Sequence, residues 1–122
     1  MTGGTSAEDS LQSVLESLAD PDCRRILSEL DQPRSFQEVA KRCDLPETST
    51  YRKLESLSAA DLIAEGTKVR SDGHHIKTYE RDVSGVLVLI DDDSGVEFEF
   101  VSEVSSPDRQ LARLWSQVSE EL

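Results

Sequence analysis

Apolar residues fall at helical spacing through the first half of this chain and at strand spacing beyond it. Leu11, Val14, Leu15 and Leu18 form a first stripe, and Cys23, Ile26, Leu27 and Leu30 a second. Between them, Asp20-Pro21 restarts the chain, with Asp20 suited to the N-cap and Pro21 to the first helical position. After a turn over Asp31-Gln32-Pro33-Arg34, Ser35 and Glu38 have the spacing of a capping box, and Phe36, Val39, Ala40 and Cys43 follow as one stripe. Pro46 disfavours a helical Leu45 before it and suits the first turn of a fourth helix, whose Thr50, Leu54 and Leu57 face inward.

The period then changes. Beyond Leu62-Ile63 the chain becomes strand-like, and Ser71-Asp72-Gly73 predicts a hairpin turn between residues 67–70 and 74–81. Val86–Ile90 is a continuous apolar run, residues 91–95 a turn, and Val96, Phe98 and Phe100 alternate with Glu97 and Glu99. This second hairpin is expected to extend or pack on the sheet of the first. Ser106-Pro107 caps a last predicted helix, with Leu111, Leu114, Trp115, Val118 and Leu122 on one stripe.

The expected fold class is therefore α+β, a winged helix-turn-helix with an added C-terminal hairpin and a C-terminal dimerisation helix. The Gly/Ser/Thr-rich residues 1–8 are expected to be disordered. Residues 9–82 form the winged helix-turn-helix, 83–104 the additional hairpin and 105–122 the terminal helix. A short helix, a tight turn and a longer helix over residues 35–62 are the means by which small proteins lay a helix in the DNA major groove. A hairpin directly after such a helix is a wing.

Net charge is −12, which by itself argues against DNA, but the charge is unevenly spread. Residues 34–53 and 66–81 are each +2, whereas residues 1–33 carry −5 and residues 82–122 carry −8. The positive segments are those a helix-turn-helix would turn toward a duplex. The chain has four Lys against nine Arg and no Asn. That balance is similar to proteins of extreme halophiles. At about 1 M salt the Debye length is about 3 Å, so repulsion among the carboxylates is screened.

No apolar run exceeds Val86–Ile90, so no membrane span is expected. The start of the chain lacks a signal-peptide pattern, and two cysteines suit a reducing compartment. A cytoplasmic location is the expectation.

Three segments, LADPDCRRILSEL, FQEVAKRCDLPETSTYRKLESLSAADLIAEG and VRSDGHHIKTYER, together resemble the winged helix of the arsenic-repressor (ArsR-type) family in its haloarchaeal form. The resemblance covers roughly residues 10–82 and implies DNA binding and transcription regulation. The family's metal sensors carry paired cysteines in the helix before the recognition helix. This chain has only Cys43 there, so metal sensing of that type is not implied.

The candidate groove-reading residues are Thr48, Ser49, Tyr51, Arg52 and Lys53, on a recognition helix over about residues 46–60, with Glu47 beside them. Arg70, His74, His75 and Lys77 on the wing suit phosphate or minor-groove contact. His74-His75 is not a metal pair, because neighbouring strand residues point to opposite faces. Leu11 and Leu15 at one end and Leu111, Leu114, Trp115, Val118 and Leu122 at the other are the candidate homodimer contacts.

Cys23 falls at the third position of its helix, where the macrodipole lowers a thiol pKa, with Arg24 and Arg25 next to it. Its place on the apolar stripe with Ile26 and Leu27 favours a small core hydrophobe, with a redox thiol as the alternative. Cys43 lies on a core stripe. Asp91-Asp92-Asp93-Ser94-Gly95 lacks the spacing of a calcium loop and reads as a turn. Neither a catalytic pattern nor a cofactor or metal motif is present, and no enzyme is expected. The partners expected are double-stranded DNA and a second copy of the chain, with any small-molecule effector unknown. Two other readings stay open: a protein-interaction adaptor, and a chromatin-like DNA binder of low specificity.

Overall fold

The computed structural model describes residues 7–93, 95–102 and 115. Four helices precede four strands: α1 (Ala7–Ala19), α2 (Pro21–Glu29), α3 (Phe36–Cys43), α4 (Glu47–Ala59), β1 (Ile63–Val69), β2 (His75–Arg81), β3 (Gly85–Asp91) and β4 (Gly95–Val101). Two compact units divide between Asp82 and Val83. Among the described residues no helix is long and apolar enough to cross a membrane.

Local chemistry sets the helix boundaries. Asp20 is the N-cap of α2 and its carboxylate accepts the Asp22 N–H at 2.9 Å, with Pro21 just inside. Ser35 caps α3 in a complete capping box with Glu38. Both α3 and α4 end on an aspartate in the left-handed region, Asp44 at φ 54° and Asp61 at φ 61°. The following amides close back on the helices: Leu45 N–H donates to Ala40 O at 2.9 Å, and Leu62 N–H to Leu57 O at 3.1 Å. Aspartate tolerates this conformation better than most residues, which lets both helices stop without glycine. Pro46 stands just outside α4 as its N-cap rather than within its first turn, and its carbonyl takes both the N–H and the hydroxyl of Thr50.

The core of the first unit is built by Val14, Ile26, Leu30, Val39, Leu54, Leu57 and Leu62, all essentially inaccessible. Helices α1, α2 and α3 each pack against α4. The wing is an antiparallel pair in which Ile63 faces Arg81 and Val69 faces His75, so β1 begins four residues before the predicted strand. Its base is stitched to the helices, with Arg81 N–H donating to Leu30 O at 3.0 Å and Asp82 N–H to Leu62 O at 3.1 Å. A single residue before α3, Arg34, adds an isolated antiparallel bridge to Tyr79.

In the second unit, β3 and β4 pair with Val86 facing Phe100, Val88 facing Phe98 and Ile90 facing Val96. The two hairpins are separate two-stranded sheets, so β3–β4 does not extend the wing's sheet as expected. Helix α1 starts at Ala7, two residues inside the segment expected to be disordered. Leu111, Leu114, Val118 and Leu122 lie outside the described residues, as does the Ser106-Pro107 cap. Trp115 is helical and 67% exposed.

Candidate nucleic-acid interface

Helix α4 presents two different faces. Thr50, Leu54 and Leu57 are buried and fix it on the core. Thr48, Tyr51 and Arg52 are exposed, and Ser49 is half-buried beside them. Tyr51 is held from one side by Phe36 of α3, ring edge to ring face, with centroids 5.7 Å apart. The residue stays 45% exposed. Among the described residues the Arg52 guanidinium has no ion-pair partner. A fixed helix with a free guanidinium, two short hydroxyls and a phenol on one exposed side can donate and accept along base edges.

Lys53 sits differently. Its ammonium lies 2.5 Å from the Asp20 carboxylate at the start of α2. That contact raises the Lys53 pKa and lowers that of Asp20. The lysine is therefore engaged within the protein, a quarter-turn or so round the helix from Arg52.

The wing tip is shaped by one aspartate. Asp72 accepts the His74 N–H at 3.0 Å, its carboxylate lies 3.1 Å from His74 Nδ1, and Arg70 Nε is 3.8 Å away. Gly73, at φ 88°, completes the turn, and Arg70 N–H donates to His74 O at 2.8 Å. Arg70, His74 and His75 are all exposed. Lys77 lies lower on β2, between Glu65 at 2.5 Å and Glu55 of α4 at 3.8 Å, with its ammonium 5.5 Å from the Tyr79 ring centre. Its pKa is driven up, chiefly by the Glu65 hydrogen bond. Lys77 thus links β2 to β1 and α4 while its side chain stays half exposed. Lys68, exposed opposite Ile76, is a wing cation that the sequence reading passed over. Its signal was its place in a +2 segment.

Cys23 does not hold the acidic thiol expected from its helix position. It is 3% exposed, and its S–H donates to Asp20 Oδ2 at 3.6 Å. Burial, reinforced by the Asp20 charge, pushes its pKa up to about 11. Desolvation and a neighbouring anion outweigh the helix dipole. Burial likewise raises the pKa of Cys43.

A family model described as a Helix-turn-helix domain matches residues 18–65, which run from the end of α1 into β1. The crystal structure of an ArsR family transcriptional regulator superposes with a TM-score of 0.53 at 17% identity, covering 96% of this chain and 94% of that one. The fold is a winged helix-turn-helix. A possible transcriptional regulator from Methanosarcina mazei Go1 aligns with a TM-score of 0.46 at 10% identity, over 93% of this chain and 84% of that one. NolR from Sinorhizobium fredii aligns with a TM-score of 0.47 at 17% identity, over 93% of each chain. No curated protein sequence matches the chain. In winged-helix terms α4 is the recognition helix and β1–β2 the wing, and β3–β4 follows the minimal domain.

Proposed function

We propose that this protein is a sequence-specific DNA-binding transcription regulator that acts as a homodimer. Helix α4 enters the major groove with Thr48, Ser49, Tyr51 and Arg52 toward the bases, while Arg70, His74 and His75 of the wing meet the backbone or minor groove. The observation that carries this reading is the exposed Arg52, without an ion-pair partner among the described residues, on a helix whose opposite face is buried in the core. The exposed leucine of α1, Leu15, and the exposed Trp115 support a two-fold contact between copies. Paired recognition helices then read half-sites about one helical turn apart.

The test is selection of duplexes from a random pool in molar potassium chloride, where the acidic body is screened. Wild type is expected to enrich an inverted repeat. Arg52→Ala should weaken binding to it by about 1–3 kcal/mol and relax the preference at one position of each half-site. Failure of wild type to enrich any sequence would overturn the reading.

A second reading rests on the second unit. Val88, Ile90 and Val96 share one sheet face and remain exposed, which suits protein contact. An adaptor of this kind would bind a protein partner without selecting a duplex.

A further inference from the structure

Asp20 is used twice. One carboxylate oxygen caps α2 by accepting the Asp22 N–H at 2.9 Å. The other receives the Lys53 ammonium at 2.5 Å and the Cys23 S–H at 3.6 Å. The same side chain that starts α2 therefore also grips the recognition helix, thirty-three residues further along the chain.

A recess of about 330 Å³ opens beside the pair, bordered by Ser17, Cys23, Arg52 and Ser56. Lys53 shares its side of α4 with the buried Thr50 and Leu57, three residues before it and four after it. Thr50, Leu54 and Leu57 seat α4 on the core, and the Asp20–Lys53 pair adds a charged contact between the start of α2 and the N-terminal half of α4. Both partners are partly shielded, with side-chain exposures of 24% for Lys53 and 31% for Asp20, so the attraction is only partly screened.

We propose that Asp20 and Lys53 form a positioning clamp for the recognition helix. Lys53 sets the lean of α4 so that Thr48 and Arg52 meet the bases, and it does not itself neutralise a phosphate. This rests on the DNA-reading role proposed above. It changes the part played by Lys53, from a groove contact to a residue acting through its neighbours.

The experiment compares wild type with Lys53→Met, Lys53→Arg, Asp20→Asn, the Asp20→Asn/Lys53→Met double variant and Arg52→Ala on the selected duplex, across a potassium chloride series. Asparagine caps helices as well as aspartate, so Asp20→Asn removes the charge and keeps the cap. Loss of a clamp lowers affinity by about two- to fivefold in either single variant, the scale of one partly screened pair. The double variant falls no further than either single one. The slope of log affinity against log salt stays at the wild-type value, and Lys53→Arg recovers most of the affinity. Arg52→Ala, by contrast, lowers the slope by about one if it also touches a phosphate.

A different pattern overturns the proposal. If Lys53→Met reduces the slope by about one while Asp20→Asn tightens binding, Lys53 is a phosphate contact. Amide hydrogen exchange in residues 47–53 without DNA separates this failure from failure of the DNA reading. Exchange that quickens in Asp20→Asn and Lys53→Met but not in Arg52→Ala supports the clamp even if no duplex is bound. Exchange unchanged in all three overturns it.

Discussion

Arg34 and Tyr79 exchange both of their backbone hydrogen bonds, Arg34 N–H to Tyr79 O at 3.0 Å and Tyr79 N–H to Arg34 O at 2.8 Å. The residue before the N-cap of α3 is thereby fixed to the middle of the wing's second strand. This bridge joins the wing to the helices in addition to the Arg81–Leu30 hydrogen bond and the Lys77–Glu55 pair. Tyr79 is 1% exposed, yet its hydroxyl has no hydrogen-bond partner among the described residues. A buried unmade hydrogen bond costs about 1–3 kcal/mol. Tyr79→Phe is therefore expected to hold or raise stability by up to about 1 kcal/mol. Tyr79→Ala, which empties the site, should cost about 3–5 kcal/mol. Urea unfolding in molar salt measures both, and a clear loss in Tyr79→Phe would show that the hydroxyl is satisfied after all.

Tyr51 offers a separation of packing from recognition. Its ring meets Phe36, and the residue is half exposed. Tyr51→Phe keeps the ring pair, so stability should change by less than about 0.5 kcal/mol. Affinity for the selected duplex should fall by about two- to tenfold, the worth of one hydrogen bond. Tyr51→Ala should lose about 0.5–1.5 kcal/mol of stability from the ring pair alone. Unfolding curves and duplex titrations on the same samples give both numbers.

The thiol of Cys23 should be slow to react. With its pKa at about 11, about one molecule in a thousand carries the thiolate at pH 8, and the sulfur is buried as well. Iodoacetamide at pH 8 is expected to label the folded protein far more slowly than the urea-unfolded chain, with mass spectrometry locating the label. Rapid labelling of Cys23 in the folded state would restore the case for a redox thiol.

Acid should release the hold of Asp20 on α4. Its hydrogen bond with Lys53 lowers the Asp20 pKa from its ordinary 3.8, so the ion pair's contribution is complete above that value. It is lost as pH falls through the lower, folded-state value, because the unfolded chain then binds the proton more readily. The stability difference between wild type and Asp20→Asn is expected to be constant from pH 7 to about 5 and to close below about 4. A difference that stays constant to pH 3 would contradict the assignment.

What could be read from the sequence was what the chain decides over three or four residues. The Asp20-Pro21 start of α2 and the Ser35–Glu38 capping box were legible because each partner is fixed by helical spacing. The burial of Leu54 and Leu57 followed from their period. The features that were not legible depend on what the fold brings together. The Arg34–Tyr79 bridge leaves no local pattern, and neither does the capture of Lys53 by Asp20. At Cys23 the helix-dipole argument was sound but incomplete, since it omitted burial and the Asp20 charge, which act the other way. Lys77 looked like a free wing cation until Glu65 and Glu55 were placed beside it. The sequence also marked the hairpin turn at Ser71-Asp72-Gly73 but began its first strand too late. Pairing with Arg81 carries β1 back to Ile63, beyond any local turn signal.

The proposal that one face of α4 and the wing tip read DNA is tested most directly by hydroxyl-radical footprinting of side chains in molar salt, with and without the selected duplex. Tyr51, His74 and His75 are exposed and oxidisable, and Trp115 is an exposed position in the other unit. The account predicts that duplex protects Tyr51 and His74 while Trp115 oxidises as before. Protection of Trp115 with Tyr51 left open would contradict it.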